Sequence, residues 1–115
     1  MPAHDAQMLK GVLPLLLLQL LDEREDYGYS LVVRLHELGF PDLAEGTVYP
    51  ALSRLEAGGA LGSRLVRSSA GPARKYYALT PTGHDELVRG LDAWHALLSS
   101  VTRVLPVPHS ARSAP

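Results

Sequence analysis

The sequence predicts a mainly α-helical fold with one small β-hairpin and a long C-terminal helix. Three observations support this prediction. Before Gly58, apolar residues recur at the three-to-four-residue spacing of helices. Residues 61–67 and 74–80 are instead compatible with strands, and the turn-forming residues 68–72 lie between them. Residues 81–105 then return to helical spacing, until Pro106 stops the helix.

The bulk properties of the chain limit its class. A chain of 115 residues has room for one domain with a modest core, and 46% hydrophobic with 20% charged residues is typical of a globular protein. It contains no cysteine, which excludes disulfides, thiolate metal sites and a cysteine nucleophile. No secretory signal is evident, and the longest apolar run, residues 12–21, is too short to span a membrane. We therefore expect a soluble cytoplasmic protein.

The first helix is predicted over residues 9–22. Residues 1–8 show no periodicity, and we expect them to be flexible. Leucines occupy nearly every side of the helix, which is typical of a buried helix. Pro14 fits poorly unless the regular helix begins near it, because proline lacks the backbone N–H. A polar connector, residues 22–26, follows.

A second helix follows Tyr27-Gly28-Tyr29. Leu31, Leu35 and Leu38 are spaced at i, i+4 and i+7, so they form one apolar stripe. Gly39 provides the stop, because glycine accepts the left-handed conformation found after many helices. A short polar link then leads to a third helix.

The third helix has two different faces. Val48, Leu52 and Leu55 form its apolar stripe. Either Gly46 or Thr47 can act as the N-cap, and both choices keep Pro50 in the first turn, where its missing N–H costs little. The glycine pair at 58–59 ends the helix.

The opposite face of this third helix carries Thr47, Tyr49, Ser53 and Arg54. Short hydroxyls, a tyrosine and an arginine suit a helix whose N-terminal end enters the major groove of DNA. Two short helices joined by a tight link, the second polar on its free side, are typical of a helix-turn-helix. An ordinary amphipathic surface helix is the alternative interpretation.

The hairpin that follows concentrates positive charge. The net charge is −1, but residues 57–84 contain four basic residues and no acidic one. Three of the four, Arg67, Arg74 and Lys75, flank the predicted hairpin tip. A basic hairpin directly after a helix-turn-helix suits a wing that reaches DNA phosphates or the minor groove. A plain surface hairpin with solvated charges is the alternative.

Thr80 and Pro81 open the last helix, as N-cap and first helical residue. Its apolar residues are spaced 4, 3, 4, 3 and 4 apart, which is the a/d pattern of a coiled-coil seam. They are Leu87, Leu91, Trp94, Leu98, Val101 and Leu105. Because a domain of this size rarely needs so long a stripe for its own core, we expect the helix to dimerise. The tail, residues 106–115, is predicted to be disordered.

Several of these motifs together resemble the PadR family of transcriptional regulators. They are Leu9-Lys10-Gly11, Tyr27-Gly28-Tyr29, Gly46-Thr47-Val48-Tyr49-Pro50 with Leu52, Arg54-Leu55-Glu56, Gly71-Pro72, Arg74-Lys75-Tyr76-Tyr77, Leu79-Thr80-Pro81 and Gly83. The resemblance covers residues 9–105, and the length is similar to that of the short subfamily with a single C-terminal helix. It implies a winged helix-turn-helix (residues 9–80) followed by a dimerisation helix (residues 81–105), acting as a homodimeric repressor on operator DNA.

The resemblance also assigns candidate contacts with double-stranded DNA. Those on the recognition helix are Thr47, Tyr49, Pro50, Ser53 and Arg54, and those on the wing are Arg67, Arg74, Lys75 and Tyr76. Tyr76 and Tyr77 alternate across a strand, so one is expected to face the core and the other is available to DNA. Arg54 has an alternative role as the ion-pair partner of Glu56 or of another nearby acid.

Other functions find less support in the sequence. The five histidines are scattered, with no nucleophile or carboxylate pair at a useful spacing, and there is no glycine-rich phosphate loop, so we expect neither an enzyme nor a bound cofactor or metal. Trp94 lies in the middle of the predicted coiled-coil seam. There it either holds a flat aromatic effector between subunits or simply fills the dimer core. A dimeric winged-helix interaction module without specific DNA binding remains the alternative function.

Overall fold

The structure, a computed structural model, describes residues 4–106 and confirms the mainly helical prediction. Four helices pack with a small three-stranded antiparallel sheet. In chain order the elements are α1 (Ala6–Glu23), β1 (Asp26–Tyr27), α2 (Gly28–Glu37), α3 (Glu45–Ala57), β2 (Leu61–Ser68), β3 (Gly71–Leu79) and α4 (Pro81–Val104). The predicted disorder of 106–115 falls, apart from Pro106, outside the described residues, as do the first three residues of the predicted flexible N-terminus.

Helix α1 begins at Ala6, three residues before the predicted start. Asp5 is its N-cap and accepts hydrogen bonds from the backbone N–H groups of Gln7 and Met8, both at 3.0 Å. Pro14 lies in the helix interior, where its missing N–H breaks one bond of the helical ladder. The leucines of α1 form the centre of the core, as the sequence predicted. Those buried are Leu9, Leu13, Leu17, Leu18, Leu20 and Leu21.

The end of α2 differs from its prediction. Leu31 and Leu35 are buried, but Leu38 is 63% exposed. Helix α2 ends at Glu37, so Leu38 already belongs to the turn and leaves the apolar stripe. Val32 is buried in the same helix and extends the stripe instead. Gly39, with φ of 107°, provides the predicted left-handed stop.

The start of α3 also differs from its prediction. Ala44 is the N-cap and makes no side-chain cap hydrogen bond, so Gly46 and Thr47 lie inside the helix. With Glu45 as the first residue, Pro50 is the sixth, beyond the first turn where proline is harmless. At the other end Gly59 adopts the left-handed conformation, with φ of 86°, whereas Gly58 remains right-handed.

The sheet contains one strand that the sequence did not predict. Strands β2 and β3 form the expected hairpin, and β1 pairs antiparallel with the other side of β3. Asp26 is opposite Tyr77, and Tyr27 is opposite Tyr76. A strand of two residues is too short to show a periodicity of two, so the segment resembled a polar connector.

Asp26 is buried and connects three elements. Its Oδ2 atom accepts hydrogen bonds from Ser30 Oγ at 2.8 Å and from Arg34 Nη1 at 2.9 Å. The same arginine donates through Nη2 to the Leu20 carbonyl at 3.3 Å and to Glu23 Oε1 at 3.1 Å. The end of α1, strand β1 and helix α2 are therefore held together by one network of charged groups.

The first half of α4 belongs to the core, and the second half does not. Thr80 is the predicted N-cap, accepting from the Gly83 N–H at 3.0 Å and donating to the Gly59 carbonyl at 2.6 Å. Leu87 is only 3% exposed, and Leu91 packs against the same core. The assignment of Leu87 to a dimer seam is therefore wrong, because its own protomer already covers it. Every described residue after Leu91 is exposed.

Replacing Gly83 with alanine is expected to lower the free energy of unfolding by about 3 kcal/mol or more. An added Cβ would lie 2.0 Å from the carbonyl oxygen of Ala60, and this backbone atom cannot move without displacing β2 from α4. Urea unfolding followed by circular dichroism measures the change. Gly11→Ala is the matched control, because a Cβ there meets nothing within 4 Å, and it should leave stability unchanged or slightly raised. Equal stabilities of the two variants would contradict the packing described.

Candidate nucleic-acid interface

Helix α3 presents a divided surface. Its buried residues are Val48, Ala51 and Leu52, which pack into the core. The residues predicted as DNA contacts lie on its exposed side, and they are Thr47, Tyr49, Pro50, Ser53 and Arg54. The core thus fixes α3 by one face while the candidate contacts stay accessible, as an inserted helix requires.

The exposed side of α3 is bordered by two different clefts. Tyr49 lines a cleft toward the sheet, whereas Thr47, Pro50 and Arg54 line a second cleft toward α1. The spacing of Thr47, Pro50 and Arg54 at i, i+3 and i+7 explains why these three share one flank. The sequence placed all the candidate residues on one free side and did not distinguish the flanks.

The cleft toward the sheet is rich in tyrosine. It encloses about 400 Å³ and is lined by Tyr27, Gly28, Tyr29, Tyr49, Arg74, Lys75 and Tyr77. Burial, followed by the negative charge of Glu45, raises the pKa of the Tyr49 hydroxyl, which favours further the protonated form that can donate a hydrogen bond. We name this site, with its residues, the tyrosine cleft.

Gly28 makes room for Tyr49 in the tyrosine cleft. A Cβ atom on Gly28 would lie 2.5 Å from Cε1 of the Tyr49 ring, so any larger residue would displace the ring. Tyr27 and Tyr29, on either side of Gly28, were not predicted as site residues. The signal in the sequence was the Tyr-Gly-Tyr motif itself, which contributed to the family resemblance but received no role.

The register of the hairpin shows which tyrosine faces the core. Tyr77 is 8% exposed and lies on the inner face of the sheet. Tyr76 lies on the opposite face, where its ring centroid is 5.2 Å from that of Tyr27. The guanidinium of Arg74 covers the Tyr27 ring at 4.5 Å from its centroid. Of the two tyrosines, Tyr76 is therefore the one that the core leaves available.

Two of the four basic residues in the 57–84 segment are paired with acids from elsewhere in the chain. Arg64 donates to both carboxylate oxygens of Glu25, at 2.8 and 2.6 Å. Lys75 donates to Glu56 at 2.9 Å. The hydrogen bond from Arg64 lowers the pKa of Glu25, and hydrogen bonds from Ser63 and Lys75 lower the pKa of Glu56, so both pairings favour the ionised form of the acid.

The cations without an acidic partner form a different set from the one that the sequence suggested. Glu56 bonds to Ser63 and Lys75, so the alternative pairing of Arg54 with Glu56 is not formed. Among residues 4–106, the lysines and arginines that form no ion pair are Lys10, Arg54, Arg67, Arg74, Arg89 and Arg103. Arg54 lies on α3, Arg67 and Arg74 lie on the hairpin, and Lys10 on α1 faces α3. Free positive charge therefore surrounds the exposed side of α3.

The predicted dimerisation residues lie apart from this surface. Trp94 is 40% exposed on α4, and Leu98, Val101 and Leu105 are exposed along the same helix. Leu97 and Val104, which the seam pattern did not include, are exposed beside them. The second half of α4 thus carries an apolar stripe that its own protomer leaves uncovered.

Metal-ligand clusters and membrane-spanning helices are both absent from the described part of the chain. No group of three histidine, aspartate or glutamate side chains is placed to hold a metal ion within residues 4–106. No helix in the same range is long and apolar enough to cross a membrane.

Comparisons with known proteins agree on one family. The model of the PadR-like transcriptional regulator family matches residues 17–89, which is more than half of the chain. No curated protein matches the sequence. A PadR-like transcriptional regulator from Bacillus cereus has 36% identity and a TM-score of 0.79, over 90% of this chain and 100% of that one.

Two further solved structures extend the comparison. A PadR family regulator from Eggerthella lenta has 34% identity and a TM-score of 0.79, over 89% of this chain and 88% of that one. PadR of Bacillus subtilis, solved in complex with operator DNA, has 27% identity and a TM-score of 0.65, over 85% of this chain and 51% of that one. Sequence and structure comparisons therefore agree, and the chain belongs to the PadR-like family of transcriptional regulators.

Proposed function

We propose that this protein is a homodimeric repressor that binds double-stranded operator DNA through α3 and the β2–β3 hairpin. The observation that carries the proposal is the ring of free cations around the exposed side of α3. Membership in a family of regulators confirms the expectation that the chain is not an enzyme. The proposed output is repression, because a dimer held on its operator obstructs other proteins at the same DNA.

The geometry of α3 supports insertion into the major groove. A helix about 10–12 Å across fits a groove about 12 Å wide. Tyr49 and Ser53, one turn apart on the exposed side, supply hydroxyls for base edges. The buried residues of α3 anchor the helix, so base contacts would be made by a rigid element.

The hairpin supplies contacts to the DNA backbone. Arg67 and Arg74 form no ion pair with the described acids, so binding a phosphate breaks no ion pair of theirs. Lys75 differs, since it must leave Glu56 before it can bind a phosphate. Arg74 and Lys75 also line the tyrosine cleft, where the Tyr29 and Tyr49 hydroxyls can add hydrogen bonds to the same phosphate. The B. subtilis relative bound to operator DNA supports this mode of binding in general terms.

Dimerisation through α4 is part of the proposal. The stripe formed by Trp94, Leu98, Val101 and Leu105 is exposed in the single chain, and an uncovered stripe of this kind favours association. Its spacing is that of a coiled-coil seam, which suits the same helix of a second copy. Two copies would present two α3 helices to DNA.

A small aromatic effector is the proposed signal. Trp94 is 40% exposed on α4, so a second copy would bring two indoles close to the dimer axis. Two parallel indoles can enclose one flat molecule, and stacking adds about 0.5–1.5 kcal/mol for each aromatic pair. Such a molecule would change DNA affinity only if it favours one separation of the two α3 helices over another.

The alternative function is a dimeric interaction module without specific DNA binding.

The first test of the proposal measures DNA binding as a function of salt. Wild-type protein should bind DNA from upstream of its own gene more tightly than random DNA, and its affinity should fall steeply with salt. Arg74→Ala and Lys75→Ala should weaken both complexes alike and reduce the slope of log K against log[salt] by about 0.9 per protomer each. Tyr49→Ala and Ser53→Ala should instead reduce the difference between operator and random DNA. Fluorescence anisotropy on labelled duplexes gives these constants.

A substitution of Glu56 provides a control variant that should change DNA affinity in the opposite direction. Glu56→Gln removes the carboxylate that occupies Lys75, so this variant should bind all DNA more tightly than the wild type. Affinity that does not depend on salt, or wild-type binding by the hairpin variants, would contradict the assignment. Equal affinity for operator and random DNA would favour the interaction-module alternative.

The second test concerns the dimer. Leu98→Glu combined with Val101→Glu would place charges in the seam, each costing several kcal/mol when buried without a partner. We expect a monomer by light scattering, with helix content retained because both residues are exposed in the single chain. The matched control is Ala96→Glu with Ser99→Glu, which adds the same charge on the opposite side of α4. A dimer that persists in the Leu98/Val101 variant would show that the seam lies elsewhere.

The third test concerns the effector. Trp94 is the only tryptophan in the sequence, so its fluorescence reports directly on ligands at this position. Flavin-like and bisbenzimide-like planar dyes should quench it and weaken operator binding, and Trp94→Ala should abolish the binding of these dyes. If no dye of the panel quenches Trp94, or if the variant binds them as well as the wild type, Trp94 is only a packing residue.

A further inference from the structure

The second cleft beside α3 extends the candidate site onto α1. It encloses about 450 Å³ between the first half of α1 and the first half of α3. Its lining comprises Lys10, Leu13, Pro14, Gly46, Thr47, Pro50, Ala51 and Arg54. Lys10 is the only residue of α1 in this set that carries a charge, and no DNA contact had been predicted on α1. We call this site the α1–α3 cleft.

The two cations of the α1–α3 cleft have no acidic partner among residues 4–106. For each of them, the positions three and four residues away on either side carry no acid, so helical ion pairs cannot form. Two cations of the hairpin differ from them, since Lys75 and Arg64 are both paired with carboxylates. Lys10 and Arg54 thus bring two uncompensated positive charges to one concave site.

A hydroxyl completes the donor set of the α1–α3 cleft. Thr47 is exposed, and its side chain makes no hydrogen bond within the described residues. An ammonium, a guanidinium and a hydroxyl in one concave site supply several donors to a tetrahedral anion. Carboxylate is absent from the residues that line the cleft, so no group there repels an anion.

The position of this cleft relative to α3 indicates which anion it would bind. A helix that fills the major groove has a sugar-phosphate backbone on each side. The hairpin lies on one flank of α3, with the tyrosine cleft between them, and the α1–α3 cleft lies on the other flank. In the proposed complex the hairpin would therefore contact one DNA strand. The second strand of the same groove would pass beside Lys10.

We propose that the α1–α3 cleft binds a backbone phosphate on the DNA strand across the major groove from the hairpin, with Lys10 as its principal cation and Arg54 and Thr47 as further donors. The inference rests on the proposed function, because it concerns the same DNA complex. It makes α1 part of the DNA-binding surface as well as of the core. Its effect is on the position of α3 in the groove, since contacts on both flanks fix the helix between two strands.

The test compares the salt dependence of binding by wild type and Lys10→Gln. Loss of one phosphate contact per protomer should reduce the slope of log K against log[salt] by about 0.9 per protomer, for operator and random DNA alike. Lys10→Arg, which keeps the charge, should restore the wild-type slope. Arg89→Gln is the matched control, because Arg89 also forms no ion pair among the described residues but lies on α4, away from α3.

Neutral methylphosphonate linkages in the operator locate the contact. Replacing a phosphate that Lys10 binds should weaken the wild type and leave Lys10→Gln almost unaffected, and the phosphates sensitive to Arg74→Gln should lie on the opposite strand. Wild-type slope and affinity in Lys10→Gln, with normal binding by the wild type, would overturn this inference alone. If the wild type binds no DNA, the proposed function fails, and the inference fails with it. Unfolding curves of each variant exclude a general loss of structure.

Discussion

The ion pair between Asp26 and Arg34 sets the arrangement on which the rest of the molecule depends. Their side chains are 7% and 11% exposed and lie 2.9 Å apart. Removing one partner of such a pair costs about 3–5 kcal/mol, because the other charge stays buried. The pair joins strand β1 to the last turn of α2. Arg34 also donates to the Leu20 carbonyl of α1, and Asp26 lies opposite Tyr77 in the sheet. The neighbouring Tyr27-Gly28-Tyr29 segment is thereby held against the hairpin, which forms the wall of the tyrosine cleft.

The acidic residues, as well as the basic ones, determine where unpaired positive charge lies on the surface. Glu25 and Glu56 lie outside the acid-free segment 57–84, yet they neutralise Arg64 and Lys75 within it. Exposed pairs of this kind add little to stability, so their main consequence is to leave some cations occupied and others free. The free charge then lies at Arg67 and Arg74 on one flank of α3 and at Lys10 and Arg54 on the other. The field around α3 is therefore more evenly distributed than the linear distribution of charge indicates.

Helix α4 consists of a first half that packs on the core and a second half that extends away from it. Gly83 and Leu87 connect its first turns to the core, and Thr80 caps it against the end of α3. Beyond Leu91 the helix leaves the body of the protein, which explains the long axis of 52 Å in a chain of this size. A helix of 24 residues is about 36 Å long, so roughly half of it extends beyond its own core. Because one continuous helix carries both parts, a shift of the second half of α4 in the proposed dimer would be transmitted to its first turns, where Thr80 is bonded to Gly59 at the end of α3.

The sequence by itself determined the features that local chemistry controls. Helical spacing located all four helices, Gly39 and Gly59 marked two stops, and Thr80 marked the last N-cap, because these signals act within a few residues. Tertiary structure decided what depends on distant residues. Strand β1 exists only because β3 lies beside it. Leu87 does not belong to the seam because it is buried in the core of its own protomer. The identity of the free cations likewise depends on partners such as Glu25, which lies 39 positions from Arg64 and approaches it only in the folded chain.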